Sequence, residues 1–359
     1  MEKATQEQGF SQQHPGSTIH LEVKNLAVSI VSGDAPLGRL YEEIKQRTTQ
    51  YIKGKNHGTA TQEAEVSWTA EGVIGRGHNI LKNVSMATKP GQVCLIMGSS
   101  GSGKTTLLNT LAGRMDPHGT AISDSIRMNG DQPQKYWASR QVGYIQQEEH
   151  LLPHLTVKET LSYSADFCLS PNASKAEKED IVTSLLTDFG LQSCANVIIG
   201  ETDAPDLVQT NRRGISGGER KRLSTATQLL FKPKLLFCDE VTSGLDAHSA
   251  LELVKILKTY AEATSSTVVI SIHQPRSEIY HLLSRSEGQL VVLSKGDVVY
   301  SGQLSEALPW FGNLGFNSYS EHMNPLDYML HLSTVDYSSP DTEKSTRERC
   351  EMLIASWKE

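Results

Sequence analysis

The stretch "QVCLIMGSSGSGKTTLLNTLAGR", residues 92–114, decides the fold. It starts as a continuous apolar run, crosses a turn rich in glycine and serine, and ends in a helix-forming segment. The turn "GSSGSGKTT" (98–106) fits G-x-x-x-x-G-K-[ST] between a predicted strand and a predicted helix. Gly98, Gly101 and Gly103, with Ser99, Ser100 and Ser102 between them, let backbone N–H groups point into one concavity where bulkier side chains would exclude a phosphate. Lys104 is predicted to reach the β- and γ-phosphates of a nucleotide, and the Thr105 hydroxyl to bind Mg²⁺. Thr106 falls in the first turn of a helix whose N-terminal dipole favours anions.

Two further apolar runs are "KLLFCDE" (234–240) and "TVVISIH" (267–273). Like "QVCLIMG", they do not alternate, which suits a parallel sheet buried on both faces. Each ends in polar residues, and open α/β sheets bind ligands outside the carboxyl ends of their strands. Asp239 is therefore placed to hold Mg²⁺ through water, and Glu240 to orient an attacking water. These features define a P-loop NTPase. A GTPase would carry an N-K-x-D base reader, and none occurs; kinase, motor and transporter remain open.

The rest of the chain sets the frame. With 359 residues it can hold one large domain or two modest ones. A net charge of -7 argues against general nucleic-acid binding but not against a local phosphate site. Five cysteines are scattered without a C-x-x-C pair, as in reduced cytosolic proteins without a metal site. No run approaches the ~20 apolar residues of a membrane-spanning helix, and the polar start shows no secretory signal, so the chain is expected to be soluble or peripheral. Residues 1–18 form a polar tail. Residues 19–303 form the main domain, beginning with an alternating strand at 19–30. A polar insert at 32–64 interrupts it, with a short helix predicted at 39–52. A mostly helical block runs from about 150 to 230, including a helix in "KAEKEDIVTSLLTDFGL". "QLVVLSKGDVVYSG" predicts a hairpin around Lys295-Gly296-Asp297. Residues 304–359 are predicted to be helical with loops.

A second anion device lies in "GISGGERKR" (214–222). Ser216 followed three residues later by Glu219 is a capping box. Taken alone, Ser216 caps a helix and Arg220, Lys221 and Arg222 form its solvated face. A capped N-terminus is also an anion site, worth about 0.3–1 kcal/mol per charge in water.

At this point the chain resembles the ATP-binding cassette (ABC) family. Ser216-Gly217-Gly218-Glu219 matches its signature, and Gln147 in "GYIQQEE" matches a glutamine that contacts Mg²⁺. "SGLD" (243–246), ending in Asp246, matches the D-loop, and His273 in "SIHQP" the switch histidine. The resemblance implies an α/β P-loop NTPase core with a mostly parallel sheet, an antiparallel β subdomain and a helical signature subdomain. It also implies that two cassettes pair head to tail around two ATP molecules. Each ATP then lies on one subunit's 98–106 loop and is capped by Ser216, Gly217, Gly218 and Glu219 of the other. In that scheme Lys104, Gln147, Glu240 and His273 are catalytic, and Thr105, Gln147 and Asp239 are metal ligands. "GISGGERKRLS", "IHQPRSEIYHLL" and the Asn324-Pro325-x-Asp327 motif in "MNPLDYML" are similar to the G (White) subfamily, as is "LIASWKE", which resembles the linker before its first transmembrane helix. That subfamily exports lipids, sterols, pigment precursors or drugs from the cytoplasmic face of a membrane.

The chain departs from the pattern in three places. Val241 stands where "DEPTSGLD" has proline, which removes a restraint on φ in the turn carrying Glu240. The long insert leaves the adenine-stacking aromatic unplaced, with Tyr41 and Trp68 as candidates. The membrane domain is absent, as expected of a fragment, a truncated product, or a subunit whose membrane chain is separate. Two alternatives to the exporter module are a non-transport ABC ATPase and a degenerate regulatory cassette.

Overall fold

The computed structural model describes residues 18–30, 78–116, 120–123, 125–139, 141–200, 214–273, 276–320 and 322–358. The insert at 32–64, its helix at 39–52, Tyr41, Trp68 and nearly all of the N-terminal tail lie outside the described residues. The chain runs β1 (Leu21–Ile30), β2 (His78–Thr88), β3 (Val93–Gly98), α1 (Lys104–Leu111), β4 (Thr120–Ile122), β5 (Ile126–Met128), α2 (Gln134–Ala138) and β6 (Val142–Ile145). Helices α3 (Val157–Cys168), α4 (Lys175–Asp188) and α5 (Gly217–Leu229) follow, then β7 (Leu235–Cys238), α6 (Ala247–Thr264) and β8 (Thr267–Ser271). The last elements are α7 (Ser277–Ser284), β9 (Gln289–Ser294), β10 (Asp297–Gln303), α8 (Leu304–Asn313), α9 (Pro325–Ser333) and α10 (Pro340–Lys358).

A six-stranded sheet has the order β10-β9-β3-β8-β7-β6. It is parallel throughout except for β10 against β9. Strand β3 shows why its sequence does not alternate. Side chains of a strand point to opposite faces in turn, and both faces here are covered. Val93, Leu95 and Met97 pack into a core with the helices from α3 onward. Cys94 and Ile96 pack into a second core with β1, β2 and α1. Burying a side chain of this size stabilises the fold by about 1.5–3 kcal/mol, so a polar residue on either face of β3 would be costly.

The second sheet is antiparallel, with β1 between β2 on one side and β4 and β5 on the other. The alternation predicted for β1 breaks in the middle. Lys24 and Asn25 are both exposed, Asn25 has φ 53°, and the pairing with β2 slips between Val23 and Leu26. This bulge returns Leu26 and Val28 to the buried face. The β9–β10 hairpin turns at Lys295 and Gly296 with φ 50° and 84°, the two left-handed residues of a tight primed turn.

The tail folds back onto this sheet edge. Trp357 of α10 lies 5.3 Å from Tyr300 and 5.7 Å from Trp310, ring centroid to centroid. Lys358 and Lys82 both reach the Asp297 carboxylate, at 3.1 and 3.3 Å. Asn324 caps α9 by accepting from the Leu326 N–H, with Pro325 in the first turn, where a missing N–H costs nothing. None of the five cysteines forms a disulfide among the described residues. Among the described residues no helix is long and apolar enough to cross a membrane.

Candidate nucleotide site

The parallel strands bring the predicted residues to one edge of the sheet. β3 delivers the 98–106 loop, β7 delivers Asp239 and Glu240, β8 delivers Ser271 and then His273, and β6 delivers Gln147. Gly98 is needed for close approach: a Cβ there would fall 2.3 Å from Ser102 Oγ and 2.5 Å from the Leu293 carbonyl oxygen. Gly103, at φ 101°, starts α1 and offers no side-chain cap. The first-turn N–H groups of α1 are thus left for an anion.

Lys104 is predicted to reach toward phosphates. Here its Nζ donates to the carbonyls of Gly98 and Ser99, at 3.0 and 3.2 Å, so it lies within its own loop. Burial pushes its pKa below the ordinary lysine value, while Glu240 and Asp239 pull it back up. Ser102 Oγ is buried and has no partner among the described residues. Open helix N–H groups, an ammonium hydrogen-bonded among the described residues to carbonyls, and a hydroxyl without a partner among them together fit a polyphosphate.

The acidic half is tied together by hydrogen bonds. Asp239 Oδ1 accepts from Thr105 Oγ1 at 3.2 Å and from Ser271 Oγ at 2.7 Å. The Glu240 N–H donates to the same Ser271 Oγ at 2.8 Å. Gln147 Nε2 donates to Glu240 Oε2 at 2.9 Å. Thr105, Asp239 and Gln147 are oxygen-bearing side chains suited to Mg²⁺, which keeps several waters and takes further ligands from phosphate. Glu240 has φ 44°, a left-handed conformation that is uncommon for a residue with a Cβ and that clusters at functional sites.

The turn after Glu240 has contacts of its own where the proline is missing. Val241 is fully buried in the helical-side core. The Ser243 N–H donates to the Glu240 carbonyl at 2.9 Å, and the Ser271 hydroxyl fixes the Glu240 N–H. Packing and hydrogen bonds therefore hold this turn. His273 is exposed just past β8. Asp246 caps α6, accepting from the His248 and Ser249 N–H groups and the Ser249 hydroxyl. The Ser249 hydroxyl, with these N–H groups, holds the Asp246 carboxyl down at about 2.

Ser216 caps α5 in a reciprocal box with Glu219. Burial raises the Glu219 pKa, but the Ser216 N–H and hydroxyl, with Cys194 and Arg222, together outweigh it and the net shift is downward. Ser216 and Gly217 are exposed, and among the described residues no hydrogen bond joins this segment to the 98–106 loop. The solvated face predicted for the basic run is not present. Arg220 is 8% and Lys221 1% exposed. Arg220 donates to the Ile199 and Gly200 carbonyls, and Lys221 to Gln147 and Glu149. Buried cations persist only when partnered, and the carbonyl partners sit 20, 21 and 74 residues away in sequence.

The profile of the ABC transporter family matches residues 81–243. An ABC transporter ATP-binding protein/permease of Saccharomyces cerevisiae is 37% identical over 77% of this chain and 22% of its own length. ABC transporter G family members 7 and 14 of Arabidopsis thaliana are 40% and 39% identical over 77% and 75% of this chain. The chain carries an ABC-type nucleotide-binding domain of the G subfamily. It spans 36% and 39% of those two plant relatives. The cassette core thus matches the resemblance carried by its motifs, and the profile covers the phosphate loop, Gln147, the signature and the Asp239-Glu240 pair.

Ser271 escaped the motif reading. Its only signal was a serine inside an otherwise apolar buried strand. Removing its hydroxyl leaves the Glu240 N–H without a partner and strips one donor from Asp239. Ser271→Ala is expected to lower unfolding free energy by about 1–3 kcal/mol, read by urea denaturation, and to raise the Mg²⁺ concentration for half-maximal ATP turnover.

Proposed function

We propose that the chain is the ATP-binding and ATP-hydrolysing module of a G-type ABC exporter, one of two cassettes that close over ATP on the cytoplasmic face of a membrane. A transmembrane domain supplied outside these residues would carry the cargo, a lipid, sterol or drug-like molecule. The observation that carries the reading is Gly217. It lies exposed at the start of α5, and among the described residues a Cβ built there meets nothing within 4 Å. Its φ is not positive either. Glycine in a helix costs about 0.5–1 kcal/mol relative to alanine, and no contact among the described residues explains it. Close approach by a group from outside does.

In hydrolysis, water attacks the γ-phosphate in line. Glu240, aimed by Gln147 and by its own backbone, orients that water and accepts its proton. Lys104 swings from its carbonyl partners onto phosphate oxygens, and His273 and the partner cassette's signature segment stabilise the charge that develops. Thr105, Asp239 and Gln147 would hold Mg²⁺, which would supply neutralisation of phosphate charge. Lys104→Met is expected to abolish Mg²⁺-ATP binding, measured by fluorescent-nucleotide titration. Unchanged affinity in that variant would place the nucleotide elsewhere.

A further inference from the structure

The buried lysine of the signature helix has a task of its own. Lys221 sits in α5 just beyond the capping box, and its Nζ reaches out of the helical block to the segment after β6. It donates to the Gln147 carbonyl at 2.5 Å and pairs with Glu149 Oε1 at 2.7 Å. Gln147 in turn donates its side-chain amide to Glu240 Oε2 at 2.9 Å. A short chain of contacts therefore runs from the start of α5 through Lys221, along the backbone of Gln147, to the carboxylate proposed as general base.

Stability alone does not explain this lysine. Lys221 is 1% exposed, and an apolar side chain of the same length at such a position is often neutral or stabilising compared with a buried ion pair. What the ammonium supplies is direction. It fixes one carbonyl, that of the residue whose side chain touches Glu240. On the other side of the same helical turn, Arg220 grips the Ile199 and Gly200 carbonyls at 3.1 and 2.9 Å. The first turns of α5 are thus clamped to two loops, and only one of them leads to the carboxylate.

We infer that Lys221 is a positioning residue that sets Gln147 against Glu240 according to where the signature end of α5 lies. This rests on the ATPase reading and refines it. When the Ser216–Gly218 segment is held by nucleotide on a partner cassette, α5 carries Lys221 with it and the Gln147 backbone follows. Engagement of the signature is thereby reported to the catalytic carboxylate within the same chain. Glu149, 24% exposed at its side chain, holds the ammonium but does not itself lead to Glu240.

The test uses the whole chain, with steady-state ATP turnover and Mg²⁺ titration of the parent, Lys221→Met, Gln147→Ala, their double variant, and Glu149→Gln. The parent is expected to turn over ATP, and Glu240→Gln to remove that turnover. Lys221→Met should lower kcat about tenfold and raise half-saturating Mg²⁺ several-fold, with KM for ATP within about twofold of the parent. In the Gln147→Ala background the same substitution should cost less than about twofold, since residues acting through one another are not additive. Glu149→Gln, which spares the carbonyl contact, should keep at least about half of kcat. Equal losses from Lys221→Met with and without Gln147, or no loss of kcat, would overturn the role while leaving the ATPase reading intact. If Lys221→Met alone does not fold, Lys221→Met with Glu149→Met removes the unpaired charge and takes the same comparison. A parent chain without turnover would sink the ATPase reading itself, and this role with it.

Discussion

Glu240→Gln is expected to bind Mg²⁺-ATP within a few-fold of the parent and to hydrolyse it about 10²–10⁴-fold more slowly, the usual range for losing a positioned general base. The amide has the shape of the carboxylate and still accepts from Gln147 Nε2, the contact that measures 2.9 Å with Glu240. The backbone at this residue does not change, so its N–H remains on Ser271 and Val241 remains in the core. What disappears is the capacity to take a proton from water. A single-turnover measurement with bound nucleotide separates the two properties. Chemistry at the parent rate in this variant would move the base to another group, and weakened binding would mean that Glu240 holds nucleotide instead of water.

Gly217→Asp should show a rarer combination, a chain at least as stable as the parent that no longer works. Among the described residues nothing within 4 Å opposes a Cβ at Gly217. A carboxylate in the first turn of α5 adds to the helix about 0.3–1 kcal/mol through the dipole, on top of relief from glycine's entropy. Unfolding free energy is therefore expected to hold or rise by up to about 1 kcal/mol. The same carboxylate would face the γ-phosphate of the nucleotide held by the other cassette, and like charges at close range repel. ATP affinity of the isolated monomer should stay within about twofold, while nucleotide-driven pairing is lost and turnover falls at least about a hundredfold. Sedimentation with and without ATP reads the pairing. Loss of affinity in the monomer would mean that Gly217 faces its own chain's nucleotide.

The sequence was most legible where the chemistry is local. The 98–106 loop, the apolar runs that became β3, β7 and β8, and the Lys295-Gly296 hairpin each depend on residues adjacent in the chain. The capping box of Ser216 and Glu219 is of the same kind. What escaped depends on partners far away. The basic run at 220–222 looks solvated because charge is costly to bury, yet Lys221 meets the Gln147 carbonyl across 74 residues of sequence. Ser271 looks like a tolerated polar residue in a strand until Asp239 and Glu240 arrive beside it. The bulge at Lys24 and Asn25 follows from the register with β2, which no pattern within β1 could set. Val241 is of the same kind: the sequence displays only the absence of a proline, while the packing of Val241 against the core depends on residues far away.

Mixing two inactive chains tests the shared site most directly. Lys104→Met should fail because its own loop cannot hold nucleotide, and Gly217→Asp because it cannot cap the partner's. In a mixed pair, the intact loop of one chain meets the intact signature of the other at one of the two sites. ATP turnover by the mixture should therefore rise well above that of either variant alone, and fall again when the mixture is diluted below the pairing concentration. A mixture no more active than its two components, from a parent chain that hydrolyses ATP, would contradict a site built from two cassettes.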